Sequence, residues 1–298
     1  HRHRAWVVDI VPPSGAVEYR EADVRDATAL ADAVRGADVV INLAAEHRDD
    51  VRPRRRYHEV NVDGAANTVA ALRQLGIERL VFTSTVAVYG LGAGVSTEAS
   101  EIRPFNDYGR TKVEAERLFR EWAEESPDRQ LVIVRPSVIF GEHSHGNVST
   151  LIDQIAVGRF RMVGNGQNQK SMAFVGNVAA FLEFSLGLGP GLRLFNYADL
   201  PDLTMNELVD LVCRTLGVAP PRSRIPYWAA MVAASLLDLV AFATRKRFTV
   251  SGVRVRKFCA STRLGADELA AAGFAPTTPL VDSLQETVRV RARRLQSA

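Results

Sequence analysis

Apolar and polar positions along the 298-residue chain change in blocks. Short, β-rich, largely apolar runs alternate with stretches that place an apolar residue every three or four positions. AWVVDI (5–10), AVEYREADV (16–24), ADVVINLAA (37–45), RLVFTSTVAVYG (79–90) and QLVIVRPSVIFG (130–141) read as strands, the fourth running into a loop. DATALADAVRG (26–36), residues 53–75 and residues 107–125 read as helices. Gly36 and Gly76 stop the first two, and Asn106 or Asp107 caps the third. Strands apolar on both faces and alternating with helices predict a parallel sheet covered on both sides. The fold class is therefore α/β, a doubly wound parallel sheet. Beyond 141 the rhythm loosens. Pro and Gly cluster at 187–191 and 217–226, and a strand RLFNYAD (193–199) returns between helices. The predicted organisation is a sheet domain over 1–141, rejoined by 171–199, with a smaller C-terminal lobe built from 142–170 and 200–298.

Composition narrows the partners. The chain is 47% apolar and 24% charged, as globular proteins are. A formal charge of +3 is too small to point to nucleic acid. Cys213 and Cys259 lack any CxxC or Cys/His spacing, so neither a disulfide framework nor a metal is predicted, and a cytoplasmic location fits. No apolar signal core follows the basic start. His143 and His145 flank Ser144 without a third ligand and read as loop polarity. The most apolar window, Ala229 to Ala243, is interrupted by Asp238 and is shorter than the ~20 residues of a membrane span. It reads as a buried or interfacial helix, with membrane-surface contact weak at most.

In a doubly wound sheet, ligands sit beyond the carboxyl ends of the strands. Asp9 closes the first strand, where a carboxylate can accept hydrogen bonds from a ribose diol and repel a 2′-phosphate. That favours NAD over NADP; the plainer reading is a turn-capping aspartate. Asp23 and Val24 end the next strand, and Leu43, Ala44 and Ala45 the one after, with small residues that let a cofactor approach the backbone. Tyr108 and Lys112 lie four apart, on one helix face. The chain has only four lysines, so about 0.08 such pairs are expected by chance. A neighbouring ammonium can lower a phenol's pKa by roughly 1–3 units, which makes a general base. The alternative is a helix face that sets a cation near a ring. TSTVAVYG (83–90) adds three hydroxyls at the same sheet edge.

At this point the chain resembles the extended short-chain dehydrogenase/reductase family, in particular the NAD-dependent sugar-nucleotide epimerases/dehydratases. The matching stretches, in family order, are DVRD (23–26), NLAA (42–45), NVDGAANTVAAL (61–72), TSTVAVYG, YGRTK (108–112), RPSVIFG (135–141), GNGQNQKSMAFVGNVA (164–179) and AGFAPTTPL (272–280). The resemblance implies a Rossmann-like NAD-binding domain with a substrate-binding lobe. It implies Tyr108 as acid/base, Lys112 on the nicotinamide ribose and Thr85 on the reacting oxygen. Asn61 would support the cofactor site, and Pro136, Val138 and Ile139 would lie along the nicotinamide. Asn147, Val148 and Lys170 would meet the substrate diphosphate, with Arg254 and Arg256 as further candidates or as a solvated face. A homodimer through helices 53–75 and 107–125 is also implied.

Two departures shape the expectation. The family's first strand and its Gly-rich loop are absent from the given chain, and such a loss should expose sheet edges. The Asp-Glu pair with which the family's 4,6-dehydratases remove water is replaced by Val86 and Ala87, and neither transfers a proton. The chemistry left is at one carbinol. The predicted activity is 4-epimerisation of a nucleotide sugar, a UDP-hexose or UDP-N-acetylhexosamine, through a 4-keto intermediate in surface-polysaccharide synthesis. The alternatives are a sugar-nucleotide 4-ketoreductase, a hydroxysteroid dehydrogenase-like enzyme and a non-catalytic dinucleotide sensor.

Overall fold

The computed structural model describes residues 3–48, 51–90, 92, 94–144, 146–221, 223–244 and 252–297. His145 lies outside them. The chain divides into two units. The first is His1–Gly90, Ser100–Pro136 and Phe181–Asn196; the second is Leu91–Ala99, Ser137–Ala180 and Tyr197–Ala298. The division differs from the expected one near 141, because the run 130–141 is two strands. Pro136 cannot donate to a ladder. The next amide, Ser137 N, donates to Tyr197 O at 2.9 Å, and Val138–Phe140 then pairs in parallel with Gln169–Phe174. Residues 91–99 join the second unit, where Val95–Ser96 ladders with Arg263–Leu264.

In the first unit, strands β1 (Trp6–Asp9) and β2 (Glu18–Glu21) form one parallel ladder. Strands β3 (Val40–Asn42), β4 (Arg79–Thr83), β5 (Gln130–Pro136) and β6 (Gly191–Tyr197) form a second sheet in the order β6-β5-β4-β3. β3, β4 and β5 run parallel, with Val81 opposite Ile41 and Val132. The predicted single sheet is therefore in two pieces among the described residues, and Ile41 on β3 is exposed. β5 is buried along its whole length, as its unbroken apolar run requires.

Helices α1 (Ala27–Val34), α2 (Gly64–Leu75) and α3 (Asp107–Glu124) pack on this unit. α1 is capped by Asp26, whose side chain accepts from Thr28 N and Ala29 N. α2 ends at Gly76 in the left-handed conformation, φ 65°. α3 is capped by Asn106. The predicted helix 53–75 is not continuous: Arg55–His58 leads into a π-helical turn, Glu59–Asp63, before α2. Leu72, Leu80, Phe119, Trp122 and Ile133 form the shared core, and the rings of Phe82 and Phe119 meet at 4.6 Å. Fully burying side chains of this size stabilises by about 1.5–3 kcal/mol each.

The second unit has a three-stranded sheet, Asp199–Thr204, Gln169–Phe174 and Val138–Phe140. Helices Asn147–Ala156, Met205–Leu216 and Leu280–Ser297 pack around Ile152, Val212 and Leu284. Arg291 forks onto Asp153 at 2.6 and 2.7 Å and ties the last helix to the first of these. α4 (Tyr227–Thr244) and α5 (Gly252–Cys259) share a small separate core. Among the described residues, no helix is long and apolar enough to cross a membrane.

Candidate active site

Tyr108 stands in the first turn of α3 and Lys112 one turn further on. The glycine between them sets the close approach. A Cβ at Gly109 would lie 2.7 Å from Ala87 O, so only glycine lets the helix start against the turn Val86–Tyr89. Thr85 caps that turn: its Oγ1 accepts from Ala87 N at 3.2 Å. The turn closes at Gly90, φ 80°, where a Cβ would collide with Arg103 O. This arrangement sets the Thr85 hydroxyl beside the Tyr108 phenol.

The electrostatics differ from the expected coupling. Burial pushes the Tyr108 phenol up, and the Thr85 hydrogen bond pulls only partly against it. The net shift of the phenol is upward, where the spacing alone predicted a fall. Lys112 is 1% exposed, with Nζ 4.1 Å over the Phe82 ring. Burial drives it down to about 7, and Glu116 opposes that shift. Desolvation outweighs mutual charge stabilisation for both groups.

Beneath the pair lies a polar network that the sequence reading missed. Arg135 on β5 grips Glu116 of α3 through Nε at 2.9 Å and Nη2 at 2.5 Å. Its Nη1 donates to Tyr89 OH at 2.8 Å, and Tyr89 OH donates to Asn196 Oδ1 at 2.7 Å. Ser84 Oγ donates to Glu116 Oε1 at 2.6 Å. These five residues fix β4's end, the turn after it, α3, β5 and β6 to one another. The available signal was Glu116 at four residues past Lys112, on the same buried face.

Asn61 has a comparable role at the π-helical turn. Its side chain accepts from Glu46 N at 2.8 Å and donates to Glu46 O at 3.1 Å and Thr111 Oγ1 at 2.9 Å. It thereby clamps the segment following β3 to α3. π-helical turns concentrate at functional sites because they re-aim a side chain.

The remaining candidates of the first unit occupy the strand ends. Asp9 Oδ1 caps its own turn, accepting from Ile10 N at 2.7 Å and Val11 N at 3.1 Å. Asp23 is held by Arg25, whose hydrogen bonds put its carboxyl below the usual range. Val24 packs on Gly64, where a Cβ would meet Val24 Cγ2 at 2.9 Å. Leu43 is 60% exposed, and Ala44 and Ala45 are half-buried beside it. Pro136 ends β5.

The second unit holds the rest. Val138 and Ile139 open its parallel strand. Asn147 is exposed at the first turn of its helix, but Val148 is buried in the core, so its side chain does not face a substrate. Lys170 Nζ donates to the carbonyls of Lys257, at 2.8 Å, and Ala260. Two of its three donors are thus committed to the carboxyl end of α5. Burial lowers this amine to about 8. Arg254 and Arg256 lie on α5, and Arg256 is exposed. Among the described residues, no group of three or more His, Cys, Asp or Glu side chains could hold a metal ion.

Comparison with known proteins bears on this arrangement. The family described as the NAD dependent epimerase/dehydratase family matches residues 2–195. An Escherichia coli O157:H7 protein named N-acetyl-alpha-D-glucosaminyl-diphospho-ditrans,octacis-undecaprenol 4-epimerase is 45% identical over 269 residues, covering 90% of this chain and 81% of that protein. An Arabidopsis thaliana 3beta-hydroxysteroid-dehydrogenase/decarboxylase, isoform 2, is 27% identical, covering 92% of this chain and 52% of that protein. Among solved structures, MoeE5 in complex with UDP-glucose and NAD superposes with a TM-score of 0.73 at 24% identity, over 97% of this chain and 90% of that one. This last similarity speaks to the fold.

Proposed function

The chain belongs to the NAD-dependent epimerase/dehydratase family, and we propose that it is the 4-epimerase of a hexose or N-acetylhexosamine carried on a diphosphate. Its cofactor is NAD, and the carboxyl edge of the sheet fits one. Thr83 Oγ1, at the end of β4, is buried without a hydrogen-bond partner, and Leu43 at the end of β3 leaves a large apolar side chain uncovered. Asp9, Asp23, Val24, Ala44, Ala45, Asn61 and Pro136 would hold or support the cofactor in the first unit.

When bound, NAD supplies reversible acceptance of a hydride. Tyr108 takes the proton of the sugar 4-hydroxyl and returns it. Thr85 hydrogen-bonds both Tyr108 and the reacting oxygen. Lys112 would orient the cofactor ribose. Val86 and Ala87 hold no proton, so the 4-keto sugar keeps its neighbouring hydroxyls and is reduced again on the other face. Asn147, Lys170 and Arg256 would bind the diphosphate, Lys170 through its one uncommitted donor. We place the reaction in the cytoplasm, in surface-polysaccharide synthesis, and the assembly as a homodimer through α2 and α3.

The observation that carries this reading is the Thr85 hydroxyl beside the buried Tyr108 phenol, with no titratable side chain at 86–87, in a chain 45% identical to a named 4-epimerase. The carrier of that relative is undecaprenyl diphosphate; a UDP-linked sugar presents the same diphosphate. The test is incubation with UDP-GlcNAc, UDP-Glc and GlcNAc-diphospho-polyprenol without added cofactor, with products read by NMR. Appearance of a 4-epimer supports the proposal. Stoichiometric NADH consumption on a 4-keto sugar, with no epimer, would replace it by 4-reduction. Turnover of a 3β-hydroxysteroid alone would favour the activity named for the Arabidopsis relative.

A further inference from the structure

We propose that the outer face of α4 docks on a lipid bilayer, bringing the second unit to a substrate carried on a membrane-embedded polyprenol. The inference rests on the 4-epimerase reading for its substrate, but the face itself is read from this helix.

α4 is inverted relative to an ordinary surface helix. Among its described residues the buried side chains are small: Ala230 and Ala234, packed with Val255 of α5 and flanked by the partly buried Met231. The opposite face carries the large apolar ones. Trp228 is 71% exposed, Val232 56% and Leu236 60%, spaced four apart on one stripe. Ile225 and Tyr227 extend the patch at the helix start and are also exposed. A soluble helix keeps polar residues on its outer face, and a contiguous apolar surface of this kind marks an interaction site. Among the described residues this helix is not long and apolar enough to cross a bilayer, and the geometry proposed is one that lies on it. Trp and Tyr suit that place, with an apolar body and a polar edge at headgroup level. Exposed Arg224, next to Ile225, adds a cation for anionic headgroups.

Two observations select a bilayer over a second copy of the chain. First, α4 packs on α5, whose carboxyl-end carbonyls hold Lys170. The helix that carries the apolar stripe therefore adjoins the element that bears Arg254 and Arg256 and holds Lys170, and a hydrocarbon carrier needs an apolar path leaving the diphosphate. Second, the 45% identical relative is named for a sugar on diphospho-undecaprenol, a substrate whose tail stays in a membrane.

The test uses the whole chain and vesicles of phosphatidylethanolamine and phosphatidylglycerol without substrate. Co-sedimentation and a blue shift of Trp228 fluorescence are expected. The double substitution Trp228→Ser with Leu236→Ser should lower vesicle partition about tenfold or more, given the free energy of burying side chains of this size. Trp228→Tyr should retain most of it, because an interfacial aromatic remains. Turnover of a sugar on a short, water-soluble isoprenyl diphosphate should be unchanged in all variants, while turnover of the vesicle-embedded long-chain substrate should fall with partition. Wild-type protein left in the supernatant would overturn the proposal, as would equal partition of wild type and the double variant. A larger oligomer in solution that the double variant dissociates would assign the face to self-contact instead. Vesicle binding with no epimer from any sugar diphosphate would sink the activity and leave the surface standing. Epimer formation without vesicle binding would do the reverse.

Discussion

α3 and α4 are both 18-residue helices, one in each unit, and they are built in opposite senses. α3 turns charge inward: Lys112 and Glu116 are nearly sealed from solvent, beside Phe119 and Trp122. α4 turns alanine inward and leaves Trp, Val and Leu outside. Neither arrangement is what stability alone selects. Burying a charge costs several kcal/mol unless it is paired, and exposing large apolar groups forgoes their burial. On the proposed reading, each helix is shaped by something it must meet, a reacting proton for α3 and an apolar surface for α4.

The comparison breaks first, and most, at Tyr108. Tyr108→Phe should lower kcat about 100- to 10,000-fold with the melting temperature little changed, because the hydroxyl is spent on Thr85 and the reaction. Near-normal turnover measured in the NMR assay would remove Tyr108 from its role. Next comes the buried pair beneath it. Glu116→Ala leaves Arg135 without its carboxylate and should cost about 3–5 kcal/mol of stability, read by urea denaturation. A loss under 1 kcal/mol, judged against that same range, would mean water or Tyr89 already satisfies Arg135.

A subtler probe is pH. Lys112 titrates at about 7 when folded but near 10.4 when unfolded. Between these values the unfolded chain binds more protons, so this residue makes stability rise with pH across that window. Below pH 7 its destabilisation is complete. Lys112→Met should therefore raise the melting temperature most near pH 6 and progressively less towards pH 9.5, while abolishing turnover. A difference independent of pH would show that the amine is not desolvated. The smallest effect belongs to α4: Val232→Ser should change stability within about 0.5 kcal/mol, since that side chain supports nothing within the fold. A larger loss would place it in a core after all.

Much of the first unit was legible in order and type. Apolar runs marked β3, β4 and β5, and Asn106 and Gly76 punctuated the helices through a local hydrogen bond and a left-handed φ. Tyr108, Lys112 and Thr85 were legible because i, i+4 spacing and a strand's end fix which residues share a face and an edge. Local rules could not show that 130–141 breaks at Ser137, because that depends on an acceptor at Tyr197, 60 residues on. Nor could they place the π-helical turn that aims Asn61, or commit Lys170 to carbonyls of α5.

What the sequence by itself determined was the alternation of elements, the candidate trio Thr85, Tyr108 and Lys112, and the absence of an acid–base pair at 86–87. These are properties of near neighbours along the chain. What only the tertiary structure decided was the electrostatic state of the trio and the sense of α4. Whether Lys112 helps Tyr108 ionise depends on the dielectric around both and on Glu116, itself gripped by Arg135 from another strand. Whether Trp228 or Ala230 faces out depends on which side α5 takes. Burial is set by what packs from far along the chain, so no local pattern can supply it.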